Sequence, residues 1–172
     1  MNHTPPPYGT RDWLPLLLKE LIAPERGLRV LDIGSSDHTD VVESLEGKIA
    51  MYVALDFWES DLENQMAILK SLGLFDRALH VVADSTERLP FIANSFDVVV
   101  VGYHPPLVEP GPDRAHVMAE VERVLASNGT AYVLPWRDEY VELTTMAVYV
   151  QDTYPPDSPF WEGSRIGILA KL

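Results

Sequence analysis

Apolar residues in this chain form short continuous runs, and the segments between the runs carry apolar residues at helical spacing. The runs predict five strands, at residues 28–33, 50–55, 79–83, 97–101 and 130–134. Three of the segments between them predict helices, at about residues 41–45, 60–73 and 113–126. Strands that alternate with helices favour a doubly wound parallel sheet with right-handed crossovers. The pattern therefore predicts a single α/β domain.

The N-terminal segment carries a different pattern. Residues 1–10 are rich in proline. After them, large aliphatic residues recur at helical spacing, namely Leu14, Leu17, Leu18, Leu21 and Ile22. This spacing predicts an amphipathic helix. We therefore assign residues 1–27 to an N-terminal arm and helix, and residues 28–172 to the sheet, within one domain overall.

The C-terminal segment is less regular. Residues 165–170 predict a strand. Residues 144–150 fit either the antiparallel partner of that strand or a helix face, because short apolar runs do not distinguish the two. We favour a short helix near residues 137–143 followed by an antiparallel strand pair. The predicted fold is thus a Rossmann-like sheet that is mostly parallel, with an antiparallel C-terminal strand.

Local motifs predict three further details of the fold. Ser60 followed by Glu63 has the spacing of a capping box, which predicts that a helix begins at Ser60. Asn128 and Gly129 are typical of a tight turn and predict the connection into the fifth strand. The unbroken valines of residues 98–101 predict a strand that is buried on both faces of the sheet.

Composition and charge exclude several kinds of chemistry. The chain has no cysteine, which excludes disulfides, thiolate catalysis and cysteine-ligated metals. His3, His80 and His116 show no ligand spacing with an acid, so we propose no metal. The net charge is −13 and no two Lys or Arg residues are adjacent, which disfavours nucleic acid as a partner. No signal pattern or membrane-length apolar run is visible, so we expect a cytoplasmic protein without a membrane partner.

The candidate binding residues lie where the predicted strands end. Asp32 and Gly34 close the first strand, Asp56 the second and Asp84 the third, and Gly102 follows the fourth. Ligands bind at this edge of open parallel sheets. A carboxylate after the second strand can accept both hydroxyls of a ribose, and one after the third can accept the amine of adenine. Each aspartate alone is more often a turn or cap residue, but three at successive strand ends favour a nucleoside site.

Five motifs occur in order over residues 28–135: Val30-Leu-Asp-Ile-Gly34, Val53-Ala-Leu-Asp56, Ala83-Asp84 with Leu89-Pro-Phe91, Ser95-Phe-Asp-Val-Val-Val100, and Glu122-Arg-Val-Leu125 with Asn128-Gly129. Together they resemble the class I S-adenosylmethionine-dependent methyltransferases, in particular a small-molecule branch typified by ubiquinone-pathway enzymes. The resemblance implies S-adenosylmethionine as cofactor and a small-molecule methyl acceptor as partner. It leaves open whether the protein forms a homodimer.

The resemblance also implies how the first two strand ends hold the cofactor. The turn of Gly34, Ser35 and Ser36 holds the methionine part, and Asp32 mainly positions that turn. Asp56 binds the ribose. The resemblance thus implies that these residues bind the cofactor, and it implies no chemical step at the turn.

The next two strand ends are expected to hold adenine and to admit the acceptor. By the resemblance, Phe57 packs against adenine, while Asp84 and the backbone of Ser85 contact its amine edge. Gly102 and Tyr103 flank the methyl group on the side where the acceptor enters.

Tyr103 and His104 are the candidate catalytic residues. His104 follows the fourth strand and is the best-placed general base, which methyl transfer needs only if the acceptor must lose a proton. A turn histidine before two prolines is an equally good interpretation of His104. Trp136 and Tyr140, after the fifth strand, fit either the wall of an acceptor pocket or packing for the C-terminal segment.

The turn departs from the family pattern, which usually reads Gly-x-Gly-x-Gly. Ser36 and His38 stand where the second and third glycines let backbone and cofactor approach closely. One hypothesis is that they crowd the site, and that the protein is a methyltransferase-like binding or regulatory module. We favour a turn rebuilt around a working site, since Asp37 and Thr39 still offer a helix N-cap. A nicotinamide-dependent dehydrogenase is a third hypothesis, although the dinucleotide fingerprint is absent.

Overall fold

The computed structural model describes residues 18–19, 21–22, 27–45, 47–102, 104–108, 111–152 and 165–171, and these form a seven-stranded sheet. The strands are β1 (Leu28–Ile33), β2 (Ile49–Asp56), β3 (Ala78–Val82), β4 (Phe96–Gly102), β5 (Leu125–Leu134), β6 (Ala147–Asp152) and β7 (Arg165–Ala170). Their order across the sheet is β3-β2-β1-β4-β5-β7-β6. β7 pairs antiparallel with β5 and β6, and the remaining pairs are parallel. The predicted sheet with its antiparallel C-terminal strand is confirmed.

Helices connect β1 to β2, β2 to β3 and β4 to β5, whereas residues 83–95, between β3 and β4, form turns. The helices are α1 (Asp40–Ser44), α2 (Glu59–Ser71), α3 (Pro105–Val108) and α4 (Asp113–Val124), with 3-10 turns at Phe75–Arg77 and Asp138–Leu143. The second 3-10 turn precedes β6, which confirms the short helix and strand pair expected of the C-terminal segment. Among the described residues, no helix is long and apolar enough to cross a membrane.

The sheet is covered on both faces, and the valines of β4 contribute to both. Val99 and Val101 belong to the apolar cluster on one face, and Val98 and Val100 to the cluster on the other. All four are buried, as expected for a central strand of a doubly wound sheet. The central position of β4, between β1 and β5, explains this burial.

The described part of the N-terminal helix packs on the domain. Leu18 and Ile22 are buried in the cluster that contains Val98 and Val100, and the Ile22 carbonyl accepts a hydrogen bond of 3.1 Å from the Lys48 ammonium. Leu14 and Leu17, which carry the other half of the predicted apolar face, lie outside the described residues.

The capping-box prediction at Ser60 is wrong. Helix α2 begins at Glu59, and Trp58 is its N-cap residue, with no side-chain cap hydrogen bond. The preceding strand determines this start, because the Asp56 carboxylate accepts a hydrogen bond of 3.0 Å from the Trp58 backbone N–H. A cap two residues later would lose this tie between the helix and the end of β2.

The turn predicted at Asn128 and Gly129 is a bulge inside β5. Leu125 pairs with Phe96, and the next β5 residue paired with β4 is Thr130, so the residues between them are left out of that ladder. Asn128 has φ of 64°, and its N–H donates to the Lys171 carbonyl over 2.9 Å. The bulged segment therefore pairs with the chain after β7, which no local turn signal could predict.

Candidate functional site

A cavity of about 470 Å³ opens at the carboxyl ends of β1, β2, β3 and β4. The predicted site residues that line it are Gly34, Ser36, Asp56, Phe57, Asp84, Ser85, Gly102 and His104. Asp32 and Ser35 are buried beneath the turn and do not line the cavity. Tyr103 lies outside the described residues. The parallel strand order thus brings together residues that are up to seventy positions apart in the sequence.

Gly34 begins the turn after β1, and no other residue fits its position without rearrangement. Its φ is +72°, a conformation that side chains disfavour. A Cβ at this position would also lie 2.8 Å from Nδ1 of His104. The Gly34 N–H donates to the Leu55 carbonyl over 2.8 Å, which ties the turn to β2. Gly34 therefore allows both the turn and the close approach of His104.

Ser36 takes the place of the second family glycine and keeps a glycine-like backbone. Its φ is 50°, which costs a serine roughly 1–2 kcal/mol. Two hydrogen bonds offset this cost. The Ser36 N–H donates to Asp56 Oδ2 over 2.9 Å, and its hydroxyl donates to Asp61 Oδ2 over 3.1 Å. The turn is thus held by two carboxylates that also line the cavity.

His38 takes the place of the third family glycine without crowding the helix against the sheet. Its side chain is 36% exposed, and Nε2 lies 3.7 Å from a carboxylate oxygen of Asp37. The His38 N–H donates to the Ser35 carbonyl over 3.1 Å, and its own carbonyl accepts from the Gln65 side-chain amide. The ring does not line the cavity.

Asp56 is buried and already oriented by backbone groups. Its two oxygens accept from the N–H groups of Ser36 at 2.9 Å and Trp58 at 3.0 Å. A carboxylate offers about four acceptor positions, so two remain beyond these contacts. Because Asp56 lines the cavity, its carboxylate is oriented before any ligand arrives.

Asp84 follows β3 and forms a compact turn with Thr86. One of its oxygens accepts from the Thr86 N–H at 2.8 Å and from the Thr86 hydroxyl at 2.7 Å. The Thr86 hydroxyl and then its N–H hold the pKa of Asp84 below its ordinary value. Asp84 is therefore a carboxylate at neutral pH, and its other oxygen accepts no hydrogen bond from the described residues.

His104 and Ser85 meet across the cavity. Nε2 of His104 is in hydrogen-bond contact with the Ser85 hydroxyl, a contact between the ends of β4 and β3. Burial lowers the pKa of His104 to about 4, against an opposing effect of the carboxylates of Asp56 and Asp84. The imidazole is therefore neutral at pH 7, with one ring nitrogen able to accept a proton.

Aromatic side chains stand at the mouth of the cavity. Phe57 is 58% exposed and Trp58 63% exposed, and their rings pack edge to face with centroids 5.1 Å apart. Because the two rings are adjacent and lie beside the cavity, they offer one apolar surface that a ligand could cover. Phe57 was predicted as an adenine contact, whereas Trp58 was missed.

The segment with Leu89 and Phe91 is held by two charged residues of α4. Glu120 accepts from the Leu89 N–H at 2.8 Å. Arg123 donates to the carbonyls of Phe91 at 2.7 Å and Leu89 at 3.0 Å, and pairs with Glu120. These bonds fix the chain that follows Asp84, which explains why this motif accompanies the cavity.

Trp136 and Tyr140 pack the C-terminal segment and do not line the cavity. Their rings meet edge to face with centroids 5.3 Å apart, and both are buried. The Tyr140 hydroxyl donates to the Leu107 carbonyl. A Cβ at Gly167 would lie 1.9 Å from the Trp136 ring, so that ring rests directly on β7. Of the two interpretations, packing is the one observed.

Six cavity-lining residues were missed by the sequence analysis, namely Leu55, Trp58, Asp61, Ala83, Thr86 and Pro106. Asp61 and Trp58 had a usable signal. Both come within five residues of Asp56, in the first turn of the helix that starts at the cavity. The other four neighbour predicted site residues or extend the same turns.

Comparison with known proteins identifies the family of this chain. A sequence profile described as a methyltransferase domain matches residues 31–133, which is more than half of the chain and runs from β1 into β5. This chain belongs to that methyltransferase domain family. The resemblance inferred from the five motifs is therefore confirmed.

One curated relative and two solved structures are similar to this family member. The demethylmenaquinone methyltransferase of Lactococcus lactis subsp. lactis (strain IL1403) is 36% identical over 106 residues, which are 60% of this chain and 40% of that protein. The chain thus spans less than half the length of this curated relative.

The two solved structures confirm the fold. A SAM-dependent methyltransferase from Aquifex aeolicus superposes with a TM-score of 0.71 at 14% identity, over 94% of this chain and 92% of that chain. A geranyl diphosphate methyltransferase in complex with SAM superposes with a TM-score of 0.71 at 15% identity, over 91% and 82%.

Proposed function

We propose that this chain transfers a methyl group from S-adenosylmethionine to a small molecule. The observation that carries the proposal is the convergence of Gly34, Asp56 and Asp84 on one cavity of a methyltransferase-family sheet. A cavity of about 470 Å³ has the size of a small-molecule site. Both solved structures described above are named as SAM-dependent or SAM-bound methyltransferases.

The residues at the end of β2 suit the nucleoside of this cofactor. Asp56 keeps two acceptor positions beyond Ser36 and Trp58, the number that the two hydroxyls of a ribose require. Phe57 offers an exposed aromatic face beside this carboxylate, against which adenine would stack. The ionised Asp84 would accept a hydrogen bond from the amine of adenine, and the backbone of Ser85 would donate one to the same edge of the ring.

The turn after β1 would hold the methionine part. Gly34 and Ser36 of this turn line the cavity. Ser35 and Asp32 lie behind them, so we assign these two a supporting role beneath the turn. S-adenosylmethionine supplies an electrophilic methyl group carried on a sulfonium.

His104 would accept a proton from an acceptor that must lose one. Its imidazole is neutral at pH 7, because burial lowers its pKa to about 4. Once protonated, the ring would be cationic close to Asp56 and Asp84, whose charges favour that form. Gly102 has no side chain, and among the described residues other than its chain neighbours no atom lies within 4 Å of the position of its absent Cβ, so the acceptor would approach there.

Charge favours a small acceptor over a nucleic acid. Three aspartates line the cavity, and no Lys or Arg is among its lining residues in the described part of the chain. The net charge of −13 extends the negative potential over the protein. The curated relative is named for a small molecule, demethylmenaquinone. We therefore propose a small-molecule acceptor without significant phosphate charge.

Calorimetric titration with S-adenosylmethionine, S-adenosylhomocysteine and NADH tests the proposal. We expect micromolar binding of the first two and none of NADH. The Asp56→Asn variant should bind about 10- to 150-fold more weakly, because charged hydrogen bonds contribute about 1.5–3 kcal/mol. Glu63→Gln removes one charge from an exposed site on α2 outside the cavity and should bind like the parent.

The two alternative functions predict different titrations. A regulatory module that has lost the cofactor would bind none of the three ligands. A dehydrogenase would bind NADH alone. Equal affinity of Asp56→Asn and the parent for S-adenosylhomocysteine would contradict the assignment of Asp56 to the ribose, whichever function holds.

A further inference from the structure

The turn of residues 34–38 lacks two glycines that its family uses, and its own backbone bonds are few. Within the turn, the His38 N–H donates to the Ser35 carbonyl over 3.1 Å. Ser36 occupies the left-handed region, which a serine does not favour by itself. Contacts from other elements must therefore hold the turn in the shape that faces the cavity.

A buried amide supplies one of these contacts. Gln65, on α2, has no exposed surface. Its side-chain N–H₂ group donates to the His38 carbonyl and, over 3.3 Å, to the Tyr52 hydroxyl. A carbonyl can only accept, so the nitrogen of the amide must face His38. The amide oxygen then faces Nε2 of His80 at 3.0 Å, which makes His80 the donor in that bond.

Tyr52 extends the contact to the other end of the turn. Its hydroxyl donates to Asp32 Oδ2 over 2.7 Å, and Asp32 lies two residues before Gly34. Burial raises the pKa of Tyr52 well above its ordinary value, and the negative charge of Asp32 raises it further. The hydroxyl therefore keeps its proton and remains a donor. Gln65 and Tyr52 thus hold the residues on both sides of the turn, Asp32 before it and His38 at its end.

We infer that Gln65 is a positioning residue for the cofactor turn, which it holds through the His38 carbonyl on one side and through Tyr52 and Asp32 on the other. The inference rests on the proposed function in one respect, that this turn contacts the cofactor. It explains how a histidine can replace a glycine here: the anchored group is the backbone carbonyl of His38, and its ring does not line the cavity. None of these four side chains lines the cavity, so each acts on the ligand through the turn.

Hydrogen exchange and calorimetry on the full chain test this inference together. Gln65→Met keeps the length of the side chain and removes both donors. In the ligand-free protein, amides of residues 34–39 should exchange about five- to tenfold faster, the scale of a lost buried hydrogen bond. The Kd for S-adenosylhomocysteine should rise by a similar factor, whereas kcat at saturating cofactor should change less than KM.

Tyr52→Phe is the second variant, because it removes one hydroxyl without changing volume. It should shift exchange and Kd in the same direction, by about threefold. Asp97→Asn is the control: it weakens the ion pair of Asp97 with Arg29, whose atoms lie 2.7 Å apart at the amino ends of β1 and β4, away from the cavity. It should lower the melting temperature and leave turn exchange and Kd unchanged.

The outcomes separate the inference from the proposed function. Unchanged exchange in the turn of folded Gln65→Met or Tyr52→Phe, or a change no larger than in Asp97→Asn, overturns the positioning role. A parent protein that binds no S-adenosylhomocysteine overturns the proposed function, and the exchange rates of the ligand-free variants still decide the role of Gln65.

Discussion

The two halves of the sheet each depend on a glycine that lets an aromatic ring approach the backbone closely, but the surroundings differ. At the end of β1, Gly34 admits the imidazole of His104, which is bonded to Ser85. In β7, Gly167 admits the indole of Trp136, which packs against the ring of Tyr140. The first contact lines a cavity, and the second lies in the apolar core.

The two contacts therefore have different roles: the first shapes the cavity, and the second stabilises the fold. Buried polar side chains of the first half include Asp32, Asp56, Gln65 and Ser85, and each bonds to a partner in another element or at the cavity. Burying such groups stabilises a fold little, because lost hydration cancels most of the gain. Around Gly167, the buried residues Trp136, Tyr140 and Leu169 instead belong to the apolar core. We therefore expect substitutions in the two halves to affect different measurements.

The largest effect is expected for Gly167→Ala. A Cβ would lie 1.9 Å from the Trp136 ring, and overpacking of this kind costs about 3 kcal/mol. The melting temperature should fall by roughly 10 °C for a domain of this size. Affinity of the folded protein for S-adenosylhomocysteine should not change. Gly111→Ala is the matched control, because none of the described residues beyond its chain neighbours lies within 4 Å of its Cβ position.

Thermal unfolding followed by circular dichroism measures this prediction, with calorimetry below the transition for affinity. A melting temperature of Gly167→Ala equal to that of Gly111→Ala would contradict the packing of Trp136 on β7. If folded Gly167→Ala bound S-adenosylhomocysteine much more weakly than the parent, the two halves of the sheet would not differ in their effect on binding.

Gly34→Ala should affect binding more than stability. The new methyl group would displace the His104 ring, 2.8 Å away, and the φ of +72° adds strain of roughly 1–2 kcal/mol. We expect the Kd for S-adenosylhomocysteine to rise at least tenfold. Gly73→Ala is the control for strain alone, because its φ is also +72° and no atom of the described residues beyond its chain neighbours lies within 4 Å of its Cβ position. Equal affinities of the two variants would show that the contact with His104 does not matter.

Acid should destabilise the protein through His104. Burial lowers its pKa to about 4 from 6.5, so between these values the unfolded chain binds a proton that the folded chain does not. The stability contributed by the neutral ring is complete above pH 6.5 and is lost as the pH falls towards 4. The loss at pH 5 should be about 2 kcal/mol.

Urea unfolding of the parent and of His104→Gln at pH 7 and pH 5 measures this loss. The variant should be less sensitive to acid by that amount. His80, whose pKa burial also lowers, remains in both proteins and cancels from the comparison. The same acid sensitivity in both proteins would mean that His104 is protonated in the folded state at pH 5.

The smallest effects are expected when the family glycines are restored one at a time. Ser36→Gly relieves the left-handed strain but loses the bond to Asp61, so affinity should change by less than about 0.5 kcal/mol. His38→Gly adds backbone freedom and should weaken binding by roughly 0.5–1 kcal/mol. Titration of both variants beside the parent measures this. Tighter binding of His38→Gly would show that the histidine crowds the site.

Much of the fold and part of the site could be predicted because they depend on local patterns. Runs of apolar residues indicated β1 to β5, and Asp56 and Asp84 follow two of those runs directly. Parallel strands end at the same edge of a sheet, so the strand pattern alone predicted that Asp56 and Asp84 lie close together. The position of Trp136 could not be decided in this way, because an aromatic residue after a strand suits a pocket wall and a core equally well.

What the sequence determined by itself was the order of elements and the residues at their ends, because hydrophobic periodicity acts over a few positions. Only the tertiary structure decided which interior polar groups meet. Gln65 lies mid-helix and Tyr52 mid-strand, where no local signal distinguishes them from solvent-facing or core positions. Their partners His38, His80 and Asp32 come from three other segments, brought within hydrogen-bond distance by the packing of α2 on the sheet. Hydrogen bonds between distant segments require a fixed separation and orientation, which residue types in a sequence do not specify.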